Sequence, residues 1–325
     1  MTAAPRAQTG PTPAIVRVTP ALHLPAAAAL VGRGRADALT TGQRFLEAAA
    51  LHKIDLRNMW ASVDPDGRSV RQVCLAVPGS GRTATMFTST PGDEPQTAEL
   101  ASVVRAACGA IEGSALAQAL LEPVEALAMD AFAQAGFERL ADLAYLRRPT
   151  PSVSAARRMP EPVLPPGVHV RPLAPTDEAA LPGVLDQTYI DTLDCPRLCE
   201  LRTTDEVLES HRAAGRFDPT MWWMVDDVSG DAPRTEGVML FNPCPAQGTI
   251  ELVYLGLAPA LRGRGLALPL LEFGVRQCAL RAGSMRTITC AVDRANTPAI
   301  RLYERAGFRE SALRVAYVLR TAGGA

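Results

Sequence analysis

The sequence predicts an α/β protein made of two similar halves, each a largely antiparallel sheet flanked by helices. Three observations carry this reading. A proline-dense stretch from Pro149 to Gly167 divides the 325 residues into two segments of about 150, near the usual domain size. Each segment then runs through the same order: a strand, helices, three strands, a helix, a strand, a helix and a last strand. Finally, Phe132-Ala133-Gln134-Ala135-Gly136-Phe137 matches Tyr303-Glu304-Arg305-Ala306-Gly307-Phe308 at an offset of 171, and Ala144-Tyr145 matches Ala316-Tyr317 at 172. Each copy is a helix end, a glycine stop, an aromatic residue and a strand, which points to an internal duplication.

The elements follow in order. Met1 to Pro13 is rich in proline, threonine and alanine, and is expected to be disordered. The first domain is placed at residues 14–148. It opens with a strand at Ala14–Val18 and a helical stretch through Ala50. Strands at Met59–Val63, Val70–Val77 and Thr83–Ser89 follow from their β-branched and apolar content. Helices at Thr97–Glu112 and Val124–Ala135 flank a short apolar segment, Leu116–Leu121, and a strand closes the half at Leu140–Arg147. Residues 149–167 form the linker, where prolines withhold N–H donors and fix φ. The second domain, 168–325, repeats the order. It has strands at Val168–Pro172, Met221–Val225, Gly237–Phe241 and Thr249–Leu257, a helix from Gly265 to Ala282, a strand at Thr287–Val292, a helix at Thr297–Ala306 and a strand at Ala312–Arg320. Helices fill Thr176–Gly215.

Composition removes several function classes. Lys+Arg is 33 and Asp+Glu is 34, so the net charge is −1 and the basic excess of a nucleic-acid-gripping protein is missing. Lys53 is the sole lysine, which reads as composition bias. No stretch has the length and apolar character of a membrane span or signal sequence, so no membrane partner and a cytoplasmic location are expected. The seven cysteines are odd in number and mostly lie in apolar segments, as reduced cysteines do. Cys195 and Cys199 form a C-x3-C with no second ligand pair at zinc spacing, so no metal is expected.

The chemistry is concentrated after the strand Ile250 to Leu257, in Ala258-Pro259-Ala260-Leu261-Arg262-Gly263-Arg264-Gly265-Leu266-Ala267. Glycines let backbone N–H groups converge, a helix N-terminus adds unpaired donors, and Arg262 and Arg264 add charge. That combination suits a pyrophosphate. It is not a phosphate-binding loop of the G-x4-G-K-[ST] kind, because no lysine is present. Nor is it a dinucleotide fingerprint, because Leu268 stands where the third glycine would fall. Arg262, Gly265 and Ala267 fit R-x-x-G-x-A. Here the sequence resembles the GCN5-related N-acetyltransferase (GNAT) superfamily, whose acetyl-CoA loop is [QR]-x-x-G-x-[GA]. Asn296 to Phe308 resembles that family's N-x-x-A-x-x-L-Y-x-x-x-G-F, and the resemblance spans the whole second half, from Val170-Arg171-Pro172-Leu173 onward. Pro269 departs from the pattern and puts the helix start in question.

The resemblance implies two tandem GNAT-like domains, each with a splayed parallel strand pair. It also implies an N-acetyltransferase that uses acetyl-CoA as acyl donor. Leu255, Gly256 and Leu257 would pair with the pantetheine arm, and Arg262, Gly263, Arg264, Gly265, Leu266 and Ala267 would cradle the pyrophosphate. Tyr303 would be the general acid for the leaving thiolate, or else a core aromatic. Asn296 would bond the cofactor arm, cap the following helix, or both. Glu251 would be the base, acting through water, or else a plain strand residue. Thr188 to Cys199, with Tyr189, Asp191, Asp194 and Arg197, would line the pocket of a small polar amine acceptor. Tyr254 could face either side of the sheet. No oligomeric state is read from the sequence. A non-catalytic CoA-binding regulator and an interaction scaffold are the alternatives.

The first half is an internal control. Opposite the glycine-rich turn it reads Ser89-Thr90-Pro91-Gly92-Asp93-Glu94-Pro95-Gln96, whose carboxylates would repel a pyrophosphate. Phe132 stands where Tyr303 does and cannot donate a proton. Glu125 stands near the place of Asn296. The first half therefore reads as a copy without cofactor binding. Val31-Gly32-Arg33-Gly34-Arg35 resembles a cradle only in composition, because no strand precedes it.

Overall fold

The computed structural model describes residues 13–32, 36–67 and 69–321. The expected disorder of the first residues (Pro13 apart), and Arg33 to Arg35 of the glycine–arginine stretch, lie outside them.

The first half forms β1 (Ala14–Arg17), α1 (His23–Gly32), α2 (Ala38–Leu51), β2 (Met59–Val63), β3 (Val70–Gly79), β4 (Thr83–Thr88), α3 (Glu94–Gly109), β5 (Leu116–Leu121), α4 (Ala126–Gln134) and β6 (Glu138–Pro149). After a short helix, α5 (Val153–Arg158), the second half repeats the order. It forms β7 (Val168–Pro172), α6 (Leu181–Tyr189), α7 (Leu198–Leu201), α8 (Thr204–Ala213), β8 (Trp222–Asp227), β9 (Arg234–Cys244), β10 (Thr249–Leu257), α9 (Ala267–Arg281), β11 (Thr287–Asp293), α10 (Thr297–Arg305) and β12 (Arg309–Arg320). The proline-rich segment thus contains a helix turn of its own, started by Ser152 Oγ accepting the Ala155 N–H at 3.1 Å.

Both halves place a parallel strand pair after an antiparallel meander. β4 pairs with β5 at Thr83–Leu116, Ala84–Ala117 and Thr85–Gln118. β10 pairs with β11 at Thr249–Thr287, Ile250–Ile288 and Glu251–Thr289. Pairing then stops in each case, and the remaining residues of β4 and β10 bond only to the strand on their other side.

The described residues pack as two compact units that do not follow chain order. Unit 1 is Met1–Arg139 with Ala316–Ala325, and unit 2 is Leu140–Val315. In unit 1 the end of β12 lies beside β5, with the Thr321 N–H on the Ala115 carbonyl at 3.0 Å and Tyr317 against Phe132. In unit 2, β6 pairs antiparallel with β11, from Pro149–Thr287 to Leu143–Asp293. Each unit therefore includes a strand segment whose sequence belongs to the other half.

Alternation along the strands of unit 2 sorts its core into two layers. Trp223, Met239, Phe241, Ile250 and Leu252 pack with Leu271, Val275 and Cys278 of α9. Trp222, Met224, Val238 and Leu240 pack with Leu181, Val184 and Leu185 of α6 and Leu208 of α8. Buried Asn242 ties these layers to the helix end: its Oδ1 accepts Trp222 Nε1–H at 2.7 Å, and its Nδ2 donates to the His211 and Ala214 carbonyls at 2.6 Å. In unit 1, Met59, Ala61, Val73 and Leu75 pack under Ala26 and Leu30 of α1. No helix among the described residues is long and apolar enough to cross a membrane.

Candidate active site

The site grows from one irregularity in β10. Leu252 pairs with Phe241 and Tyr254 with Leu240, so Val253 is an extra residue, a β-bulge. Ile250 and Leu252 face α9. Strict alternation would turn Tyr254 the same way, but the bulge turns it toward α6 and α8. There it stacks on His211 with ring centroids 5.6 Å apart, meets Tyr189 edge-on at 5.5 Å, and shares a 2.8 Å hydrogen bond with Thr188 Oγ1. Gly256 leaves room for this ring: a Cβ there would stand 2.5 Å from Tyr254.

Beyond Glu251 no described strand pairs with β10 on its β11 side, and a cleft of about 1000 Å³ opens there. Leu252 to Leu257 form one wall, with Ala291 and Val292 of β11 opposite. The glycine-rich turn closes one end. Gly263 and Gly265 have φ of +73° and +74°, and a Cβ on either would meet nothing within 4 Å. The backbone conformation, not crowding, is what calls for glycine. Helix α9 starts at Ala267, two residues later than expected, because those glycines are not helical. Its N-cap is Leu266, which has no side chain to cap with. The first N–H groups, of Leu266, Ala267 and Leu268, have no helical acceptor within reach. Pro269 falls at the third helical position, where an N–H would be unpaired anyway, so the departure from the motif costs the helix little.

The two arginines of the turn are engaged within the protein. Arg262 lines the cleft while donating to the carbonyls of Leu257 and Thr188 at 2.9 Å and of Asp191 at 3.4 Å. It clamps the turn to the end of β10 and the end of α6. Arg264 lies outside the lining and pairs with Asp227 at 2.9 Å. The Asp227 carboxyl is held down to about 2, first by hydrogen bonds from Ser229 and then by Arg264. The cationic groups on the cleft that the sequence reading missed are Arg301 and Arg305, four residues apart on α10.

Of the other expected site residues, Leu255, Gly256, Leu257, Gly263, Gly265, Leu266, Ala267, Asn296 and Tyr303 all line the cleft. Asn296 also caps α10, its Oδ1 accepting the Ala299 N–H at 3.2 Å. Tyr303 is 8% exposed and packs edge-on against Phe308 at 5.5 Å. Burial pushes its phenol well above the usual range, with Cys290, Asp194 and Tyr254 adding to the effect. It is a protonated donor at neutral pH. Glu251 is absent from the lining. It sits at the last paired position of β10 and β11, before the gap opens, with Oε2 4.0 Å from Cys244 Sγ. Burial raises its carboxyl.

A second cavity, of about 260 Å³, adjoins the first and shares Thr192, Asp194, Val253 and Tyr254 with it. Its other walls include Tyr189, Cys195, Cys199, Arg202 and His211. Among the described residues, the Tyr189 hydroxyl and His211 Nε2 are buried there without a hydrogen-bond partner. Burial, helped by Arg202, holds the His211 imidazole down to about 4, so it is neutral at pH 7. Asp191 and Cys195 have φ of +52° and +45°, a conformation rare for residues other than glycine, on either side of Asp194. Among the described residues, no group of three His, Cys, Asp or Glu side chains is arranged to hold a metal.

The family model described as "Acetyltransferase (GNAT) family" matches residues 189–308. A mycothiol acetyltransferase of Mycobacterium marinum is 28% identical over 198 residues, covering 57% of this chain and 58% of that protein. The chain thus spans under two thirds of that relative's length. A mycothiol acetyltransferase of Frankia alni is 28% identical over 336 residues, covering 97% of this chain and 87% of the relative. Among solved structures, a GCN5-related N-acetyltransferase from Sphaerobacter thermophilus superposes with a TM-score of 0.60 at 20% identity, covering 94% of this chain and 95% of the other, which establishes the shared fold. The resemblance read from Arg262 to Ala267 and from Asn296 to Phe308 is borne out: both segments fall within residues 189–308, which the acetyltransferase (GNAT) family model matches.

Proposed function

We propose that the chain transfers an acetyl group from acetyl-CoA to the amine of a small polar acceptor, by direct attack within a ternary complex. The observation that carries this is the convergence, on one cleft, of an unpaired strand edge, an uncapped helix N-terminus and a protonated tyrosine. The free edge of Leu255, Gly256 and Leu257 offers the amides that a pantetheine arm would pair with. The N–H groups of Leu266 to Leu268 and the positive end of α9 suit the pyrophosphate, and Arg301 and Arg305 suit the outer phosphate. Acetyl-CoA would supply the thioester, and Tyr303 would protonate the departing thiolate. The smaller cavity admits the acceptor beside Tyr254. Alignment with mycothiol acetyltransferases supports a small-molecule acceptor.

In this reading residues 168–325 are the working copy, 14–148 a copy without a cradle, and 149–167 the joint between them. The seven free cysteines fit the reducing cytoplasm. Calorimetric titration with acetyl-CoA tests the proposal. The expected result is one site per chain, weakened at least 100-fold by Gly265→Glu, which places a carboxylate in the cradle on a backbone suited to glycine. Two sites per chain would overturn the silent first copy. No binding at millimolar ligand would overturn the acetyltransferase reading and favour the scaffold.

A further inference from the structure

The proposed reaction needs a group that takes a proton from the acceptor amine, because an alkylammonium has no lone pair at neutral pH. Glu251 lies outside both cavities. Asp194 lines both. It belongs to the loop between α6 and α7, about sixty positions before the cofactor strand in sequence, so no strand or turn motif announces it.

Asp194 is held by a reciprocal lock. Its Oδ1 accepts the Asp293 N–H at 2.9 Å, and Asp293 Oδ2 accepts the Cys195 N–H at 3.3 Å. Its own N–H donates to Thr192 Oγ1 at 3.2 Å. Arg262 holds the near end of the same loop through the Thr188 and Asp191 carbonyls. These five hydrogen bonds fix the loop and its carboxylate at the meeting point of two cavities, and Asp194 Oδ2 has no hydrogen bond from any described residue. Burial, reinforced by the Asp293 charge, raises the Asp194 carboxyl, while the Asp293 N–H pulls the other way. The groups facing it are Cys195 and Cys199 on its own side, Tyr254 on β10, Cys290 and Asp293 on β11 and Tyr303 on α10. None is a cation that would hold its charge in place.

We infer that Asp194 is the residue that accepts the proton of the acceptor amine at the junction of the two cavities; this rests on the acetyl-transfer reading above. One ammonium proton passes to Oδ2. The freed nitrogen pair forms the C–N bond to the thioester carbon. The C–S bond breaks with its electron pair going to sulfur, and Tyr303 protonates the thiolate. The second proton lost from nitrogen restores Tyr303, and Asp194 returns its proton to water.

The test uses thiol release from acetyl-CoA by the full chain with two probe amines. Ethanolamine is an ammonium at pH 7, whereas methoxyamine is already unprotonated. Asp194→Asn keeps the oxygen that accepts the Asp293 N–H. It is expected to cut turnover of ethanolamine at least 100-fold, to cut that of methoxyamine less than about 5-fold, and to leave acetyl-CoA binding within 2-fold. Equal losses on both amines, or weakened acetyl-CoA binding, would overturn the base and leave Asp194 a loop anchor. An amine-selective loss in Glu251→Gln instead would return the role to the strand carboxylate. Wild-type protein that binds no acetyl-CoA, or releases no thiol with either amine, would sink the acetyl-transfer reading itself.

Discussion

The corner after β4 in unit 1 and the corner after β10 in unit 2 share one backbone plan and differ in how each treats its helix end. Helix α3 is capped: Asp93 Oδ1 accepts the Gln96 N–H at 2.9 Å, and Gln96 Oε1 accepts the Gly92 N–H at 3.0 Å. Helix α9 begins at Ala267, and its N-cap residue, Leu266, offers no side-chain cap. A cap of this kind stabilises by about 1 kcal/mol, and it consumes the donors an anion would otherwise find. The aromatic residue at the far side follows the same division. Phe132 is fully buried and packs edge-on against Phe137 at 4.9 Å, as Tyr303 packs on Phe308 at 5.5 Å, but only Tyr303 carries a proton to give. On the acetyl-transfer proposal, the corner of unit 2 would forgo local stability that the corner of unit 1 keeps.

Changing residues across this comparison gives graded outcomes. Tyr303→Phe makes unit 2 resemble unit 1 at its reacting end. Turnover should fall 10²–10⁴-fold, with acetyl-CoA affinity unchanged within about twofold. A loss confined to affinity would make Tyr303 a wall and not an acid.

His211 has no counterpart among the paired positions. Its folded pKa of about 4 lies below the ordinary 6.5, so between these values the unfolded chain binds a proton that the folded chain refuses. Stability should drop as pH falls from 6.5 to 4, by roughly 2–3 kcal/mol from this group. His211→Gln should flatten that slope in urea unfolding at pH 7 and 4.5. Parallel slopes in variant and wild type would show that the imidazole is not the group titrating.

The smallest effect belongs to Asp93→Ala. Removing the cap of α3 should cost about 1 kcal/mol of stability and create no second acetyl-CoA site, since Pro91, Pro95 and Phe132 remain. A second site in calorimetry would show that the cap alone silences unit 1.

Much of this was legible in the sequence, in proportion to how local the cause is. Met59–Val63, Val168–Pro172 and Thr249–Leu257 have the strand bounds expected from β-branched runs and flanking turn residues. The glycine-rich turn at Gly263 and Gly265 was legible because positive φ calls for glycine. The orientation of Tyr254 was not legible, because it depends on the Val253 bulge, a property of pairing with β9. The partners of Arg262 and Arg264 were not legible either: carbonyls of α6 and its following loop, and a carboxylate of β8, reach them only in the fold. Asp194 reaches the cleft for the same reason, through Asp293 ninety-nine residues away. The order of strands at the end of each half followed no local pattern, since pairing partners are chosen by the tertiary fold.

The composition of unit 1 has a consequence for synthesis. Residues Ala316 to Thr321, which lie beside β5, are synthesised after all the other described residues of that unit. Until they arrive, Leu116 to Leu121 is an apolar strand with one edge open and only three residue pairs on the other. Open edges of this kind recruit other chains, so the first half is expected to expose this edge during synthesis until β12 is made.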